Sequence, residues 1–362
     1  MFILTKVAKK LRFSNGNVIW PPIQKNAISR FLYGFAAKIY AENAVSLAAN
    51  PKIRPYTPST WIRGKTGNAG LFTIFVCMKI CVIGGANVDI TATSGQAFQI
   101  GDSNPGTVQV SWGGVARNIA HNLALLGDSV ELVTIFGGGL FGPVIEASCR
   151  ELGIRTDHSE IAHEGTNSFF VSINNASGEL VGGVADMNAT EGMTPQWISA
   201  RMEAINSADV IVADANSSPQ AMAFLIDNCT KPLYLDAVSV AKAARIKEAV
   251  GISKSKSFFA LKSNALEYRV LANLTEAVIR RKYVSVGAEG LQVEEDGRLY
   301  EFPALPCIVR NVTGGGDALL AGIVHAGPSA TVEETARWGL ECARCAVESP
   351  DAVSSEIKNI KL

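Results

Sequence analysis

The chain has 362 residues, 48% hydrophobic and 18% charged, enough for one large α/β domain or two ordinary ones and too apolar for wholesale disorder. Its 33 basic and 33 acidic residues cancel, but 11 of the former and one of the latter precede Met78. The remainder carries 22 against 32, which argues against a nucleic-acid partner for the main domain. No apolar run approaches the roughly 20 residues that cross a bilayer, so no membrane partner is expected. Seven scattered cysteines suit a reducing compartment better than a disulfide framework.

Residues 1–77 are irregular and basic, with prolines at 21, 22, 51, 55 and 58. This leader resembles an organellar transit peptide; the alternative is an extension without a folded role. The expected location is accordingly the cytoplasm, or a mitochondrion or other organelle if the leader is an address. A domain over 78–362 begins with a buried strand, Ile80 to Ile83, broken at Gly84-Gly85. A second Gly-Gly pair, Gly113-Gly114, opens an amphipathic helix over 115–126. Strands are predicted at 129–136, 207–214, 231–238, 257–262 and 282–288. Helices are predicted at 142–152, 195–206, 218–228, 239–249 and 317–326. This alternation implies a mostly parallel sheet covered on both faces. Two segments read as hairpins: 168–185 around "NNASGE" and 290–305 turning at Asp296-Gly297.

In a parallel sheet, ligands collect at the carboxyl ends of strands. "NVTGGGDALLAG" (311–322) lies between an apolar run and a helix. Its glycines let backbone N–H groups approach an anion, and the helix N-terminus adds partial positive charge. Asp317 beside that cradle could accept a proton from an attacking hydroxyl; the loop taken alone reads more simply as a glycine turn with Asp317 as a helix cap. "GGANVD" (84–89) delivers Asp89, and "WGGVARN" (112–118) delivers Asn118, a carboxylate and an amide suited to sugar hydroxyls. "GGGLFG" (137–142) fits a dinucleotide fingerprint and keeps an NAD-dependent oxidoreductase as a rival class, although it follows an interior strand. Cys342 and Cys345 have CxxC spacing without a second pair, as two small residues on a buried helix would.

These loops, joined in order by "SNALE" (263–267) and "SVGAEG" (285–290), resemble the motifs of the PfkB/ribokinase family from residue 78 to about 355. "VTGGGDALLAG" resembles its C-terminal signature, usually T-G-A-G-D. "NALE" matches its N-x-x-E, and "GGVARNIAHNLALLG" resembles its N-terminal signature. Within the family, "ELVGGVADMNATEGMTP" and "LDAVSVAKAARI" look like the pseudouridine kinase branch. The resemblance implies a ribokinase-like three-layer α/β/α sandwich with a small β lid near 168–185, and ATP-dependent phosphorylation of the 5′-hydroxyl of pseudouridine. Asp317 would be the base, with Gly314, Gly315 and Gly316 as the anion hole. Asn264 and Glu267 would hold Mg²⁺ and phosphates, Glu267 through water. Ser285, Gly287 and Gly290 would line the nucleotide. Asp89, Gly113, Gly114 and Asn118 would bind the ribose. Thr166, Asn167 and Asp186 would reach the base from the lid. A small nucleoside or sugar is the expected partner, and a homodimer is compatible with the pattern.

Three departures stand out. Asn311 replaces a common acid that helps build a monovalent-cation site, which puts K⁺ activation in doubt. "FGGGLFG" replaces an acidic turn. Only 15 residues separate Glu267 from Tyr283, where the family has a longer piece; "TEAVIRRK" reads as about two helical turns. Ribose or adenosine kinases remain alternatives, as does a nucleoside-binding protein that lost transfer.

Overall fold

The computed structural model describes residues 12–14, 17–19, 78–162, 168–274 and 278–362. It divides into two compact units, Met1–Phe75 and Val76–Leu362. In the first, Arg12–Ser14 pairs antiparallel with Asn17–Ile19.

The second unit is built on strands apolar along their whole length. β1 (Lys79–Ile83) is buried from its second residue on. Side chains alternate across a sheet, so Ile80 and Val82 enter one core while Cys81 and Ile83 enter the other. That division requires helices on both faces. The first core is closed by α1 (Val115–Leu126), α2 (Phe141–Glu151), α9 (Gly315–Ala326) and α10 (Val332–Val347). The second is closed by α4 (Pro195–Ser199), α5 (Met202–Asn206), α6 (Pro219–Asn228), α7 (Val240–Ile252) and α8 (Ala265–Leu271). The short α3 (Asn188–Glu191) follows the lid.

The large sheet runs from the antiparallel edge hairpin β14 (Arg298–Phe302) and β13 (Leu291–Glu295) into β12 (Ile279–Ser285), β11 (Phe258–Asn264), β10 (Leu233–Asp236) and β9 (Val210–Asp214). It ends with β1 and β4 (Ser129–Val133). The six strands from β12 to β4 are parallel. The edge turn is the one expected: Asp296 (φ 50) and Gly297 (φ 73) are both left-handed, as a two-residue hairpin demands.

A second sheet of four strands forms the lid, in the order β8 (Leu180–Met187), β7 (Ser168–Asn174), β2 (Asn87–Ser94), β3 (Gly106–Gly113). The β7–β8 hairpin was predicted; β2 and β3, which double the lid, were not. β2 is mostly half-buried, β3 is mostly exposed, and neither has a continuous apolar run. Phe141 seats the lid on α2, with ring centroids 6.3 Å from Trp112 and 5.6 Å from Phe169.

Other predicted elements need correction. The strand at 129–136 breaks at Thr134, whose hydroxyl donates to the Gly84 carbonyl at 2.6 Å and whose N–H donates to Ser159 Oγ. The chain leaves the large sheet there, and β5 (Ile135–Phe136) pairs with β6 (Glu160–Ile161) instead. The helix at 195–206 is two short ones, because the Arg201 guanidinium folds back to donate to the Trp197 and His158 carbonyls. In "TEAVIRRK", residues 279–282 are not helical but open β12. Arg281 pairs with Glu295 at 2.6 Å and Lys282 with Glu294 at 2.7 Å across the strand boundary. Residues 275–277 lie outside the described segments. Helix α8, absent from the predicted set, and α10, expected only as a buried helix around Cys342 and Cys345, complete the two helical layers.

Candidate active site

The carboxyl ends of the parallel strands bring polar residues into one row. Pairing sets Asp214 of β9 beside Asp236 of β10, Asp236 beside Lys262 of β11, and Asn264 of β11 beside Ser285 of β12. Sheet pairing, and not sequence proximity, makes these neighbours.

Above the row sits the entry to α9. Gly314 caps it in the left-handed region at φ 82, and a Cβ there would lie 1.9 Å from the Ala352 carbonyl oxygen. Only glycine meets both conditions. A Cβ on Gly316 would come 2.6 Å from Lys262 Nζ, so the lysine ammonium lies against the first turn of the helix. Asp317, in that turn, is 9% exposed and makes no capping bond at the helix entry. Its Oδ2 instead accepts from the Asn118 side-chain amide of α1 at 2.9 Å. Burial and neighbouring Asp236 push its carboxyl up to about 7, against Lys262 and the Asn118 hydrogen bond. Such a group is suited to exchanging a proton near neutrality. The other Asn118 side-chain atom, Oδ1, is buried and has no hydrogen-bond partner among the described residues. It is an acceptor facing an unfilled requirement.

The two Gly-Gly turns meet at the same end. Gly114 (φ 101) would place a Cβ 2.4 Å from the Gly85 carbonyl, and a Cβ on Gly113 would overlap the Asp89 carboxylate. Asp89 accepts from the Asn87 side chain, and burial pushes it up to about 6, against that bond and Arg117. Asp214, not singled out from sequence, clamps both turns. Its Oδ2 accepts from the Gly85 and Ala116 N–H groups at 2.9 and 3.0 Å, and Oδ1 accepts from the Asn216 N–H at 2.9 Å. Its only sequence signal was a carboxylate ending a wholly apolar strand. Lys262 and Asp236 were also missed, because lysine near a strand end usually reads as a surface residue.

On the other side of Asp317, Asn264 and Glu267 form a capping box that starts α8. The Asn264 side-chain oxygen accepts from the Leu266 and Glu267 N–H groups. The Glu267 oxygens accept from the Asn264 N–H and side-chain amide, each at 2.8 Å. Glu267 is 3% exposed, and burial raises its pKa, chiefly against the Asn264 N–H bond. Both oxygens are thus committed, which fits a metal held through water better than one ligated directly. Ser285 ends β12, and Gly287 and Gly290 bracket the short 3₁₀ turn Gly287–Glu289 before β13.

Not every predicted residue joins this cluster. Asp186 lies exposed on β8, where its Oδ1 accepts the Asn188 N–H at 3.2 Å. Thr166 and Asn167 lie outside the described residues. Asn311 is tied into the loop: its amide donates to the Pro350 carbonyl at 3.0 Å, and its Oδ1 accepts from the Thr313 N–H. Gly137 to Gly142 do not open a dinucleotide fold, because β5 before them belongs to a separate two-stranded sheet. Cys342 and Cys345 are buried on α10, as the bland reading of CxxC requires. Among the described residues, no three His, Cys, Asp or Glu side chains cluster as a metal site.

The sequence profile of the pfkB family carbohydrate kinases matches residues 78–359. A pseudouridine kinase of Escherichia coli is 30% identical over 261 residues, covering 67% of this chain and 82% of the relative. A pseudouridine kinase of Arabidopsis thaliana is 25% identical, covering 78% of this chain and 93% of the relative. Among solved structures, a carbohydrate kinase from Agrobacterium tumefaciens superposes with a TM-score of 0.67 at 29% identity, covering 78% of this chain and 96% of that one. Arabidopsis thaliana ribokinase, solved with ribose and ATP, gives 0.66 at 17% identity, covering 78% and 98%, a likeness of fold. With the glycine-capped helix, the parallel sheet and the four-stranded lid all in place, the chain belongs to the PfkB family of carbohydrate kinases, phosphotransferases acting on an alcohol group.

Proposed function

We propose that the chain phosphorylates the 5′-hydroxyl of pseudouridine with ATP. The observation that carries the transfer is Asp317: a carboxyl poised near neutrality in the first turn of a glycine-capped helix, held by Asn118. The acceptor is carried by the likeness to the two pseudouridine kinases. Asp89, Gly113, Gly114 and Asn118 hold the ribose, with Asn118 Oδ1 accepting a hydroxyl proton. Gly314, Gly315 and Gly316 receive the transferring phosphoryl on backbone N–H groups. Asp317 takes the proton of the 5′-hydroxyl as its oxygen bonds to the γ-phosphorus and the bond to the bridging oxygen breaks, leaving ADP. Ser285, Gly287 and Gly290 lie along the nucleotide. Asn264 and Glu267 would hold Mg²⁺, which would supply neutralisation of phosphate charge. With the uncharged Asn311 in place of the family's common acid, turnover is expected to differ little between K⁺ and Na⁺ salts.

Pseudouridine and uridine share a ribose and differ in the base, where pseudouridine exposes one more ring N–H. A site that pairs that N–H leaves a buried acceptor unmatched with uridine, a mismatch worth up to about 10⁴-fold in discrimination. The acceptor is expected from the lid side, with Asp186 or Asn167 as candidates. The test is initial-rate kinetics of the full chain with ATP and pseudouridine, uridine, adenosine or ribose, with 5′-phosphate identified by ³¹P NMR. A kcat/KM for uridine equal to that for pseudouridine removes the acceptor assignment and leaves the kinase. Binding without turnover of any acceptor leaves only a nucleoside-binding protein.

A further inference from the structure

The lid sheet has two unlike faces. Side chains alternate along each strand, and residues paired across strands share a face. Val88, Trp112 and Phe169 are paired across β2, β3 and β7 and turn toward the body, where Val88 joins the first core and the two rings meet Phe141. Asp186 pairs with Phe169 and so shares that face. Asp89 stands on the opposite face, and its partner on β7 is Phe170. Neighbouring strands lie about 4.8 Å apart, so the Phe170 ring is rooted one strand from the carboxylate that holds the ribose in the scheme above. A Cβ on Gly183 of β8 would stand 3.4 Å from Phe170 Cε2 and Cζ, so the ring rests over that glycine; the residue is 36% exposed.

A single exposed ring is ordinary in itself. The second observation is Ser168, two residues before Phe170 and on the same face. Ser168 is 3% exposed, and its hydroxyl has no hydrogen-bond partner among the described residues. Ser172, two residues after Phe170, is buried as well, but its hydroxyl donates to Thr91 Oγ1 at 3.2 Å. Burying a hydroxyl unpaired is unfavourable, so the orphan on the Asp89 face marks a place where a ligand group completes the structure. We propose that the base of the acceptor lies on this face of the lid, packed against the Phe170 ring, with its polar edge paired to the Ser168 hydroxyl. This rests on the nucleoside reading of the acceptor. A pyrimidine supplies both features that the face requires: a flat π-surface for the ring, and N–H and carbonyl groups for a hydroxyl that both donates and accepts. A simple sugar at Asp89 supplies neither, and leaves Phe170 bare and Ser168 unpaired.

The test is isothermal titration calorimetry of the full chain with pseudouridine, uridine and ribose, together with the thermal midpoint of the free chain. Losing an aromatic ring under a base weakens binding by about 5–100-fold. Phe170→Ala is expected to weaken both nucleosides by that order and to leave ribose affinity unchanged. Phe170→Tyr keeps the ring and is expected to stay within about twofold of wild type. Ser168→Ala is expected to weaken pseudouridine by about 2–10-fold. The midpoint of that free variant should hold or rise, because the deleted hydroxyl had no partner to lose. A residue that serves only the fold would lower the midpoint and weaken ribose as much as the nucleosides, which overturns the proposal. So does an unchanged nucleoside affinity in Phe170→Ala or Ser168→Ala, or a loss in Phe170→Tyr as large as in Phe170→Ala. If ribose binds too weakly to measure, the nucleoside affinities and the midpoints decide alone. A wild-type chain that binds neither nucleoside refutes the acceptor reading instead.

Discussion

Asp317→Asn should cost activity and return stability, and the two effects have one cause. The wild-type carboxyl is raised from an ordinary 3.8 to about 7, first by burial. Between those values the folded chain binds a proton that the unfolded chain has released. Stability therefore falls as pH rises through that window, and the penalty is complete above about pH 7. A displacement of about 3 pH units corresponds to an upper bound of about 4 kcal/mol. Asparagine carries no charge and can still present an oxygen to the Asn118 amide. The variant should thus unfold at a higher temperature than wild type at pH 8, with the difference vanishing near pH 4. Calorimetry at the two pH values measures this. Turnover of the same variant should drop by about 10²–10⁴-fold with ATP affinity largely kept. Near-normal turnover would return Asp317 to a structural role. A stability difference independent of pH would show that the carboxyl is not raised.

The glycine loop makes an ordered prediction: Gly314→Ala should be severe and Gly315→Ala mild. The first forces alanine to φ 82 against a carbonyl oxygen at 1.9 Å, whereas the second meets only Val347 Cγ1 at 3.0 Å, a flexible neighbour. Left-handed backbone alone costs about 1–2 kcal/mol, and the reverse order in thermal denaturation and turnover would contradict the geometry. Asp214→Ala leaves three backbone N–H groups buried without partners, each worth about 1–3 kcal/mol. A loss of about 3 kcal/mol or more is expected in urea unfolding, with KM for the acceptor raised; a loss under about 0.5 kcal/mol would show that the two Gly-Gly turns do not depend on it.

Much of the architecture was written in local pattern. Runs such as Val210–Asp214 and Leu233–Asp236 can only be strands buried on both faces, and their alternation with amphipathic helices fixes the parallel sheet. Asp317, Asn118 and Asp89 stood beside glycines, so local backbone freedom marked them. The two added lid strands were not legible, since a mostly exposed strand such as Gly106–Gly113 carries little apolar period. Nor were Asp214, Asp236 and Lys262 legible as members of one site. They lie on three separate strands, and in sequence each is a lone charge at a strand's end. Only sheet register sets them side by side, and only burial turns that adjacency into a raised carboxyl at Asp317 and a captive ammonium beneath it. The sequence determined the elements and the loop chemistry. The charge state of the site was decided by tertiary structure, because desolvation and like-charge contact exist only once the strands are paired.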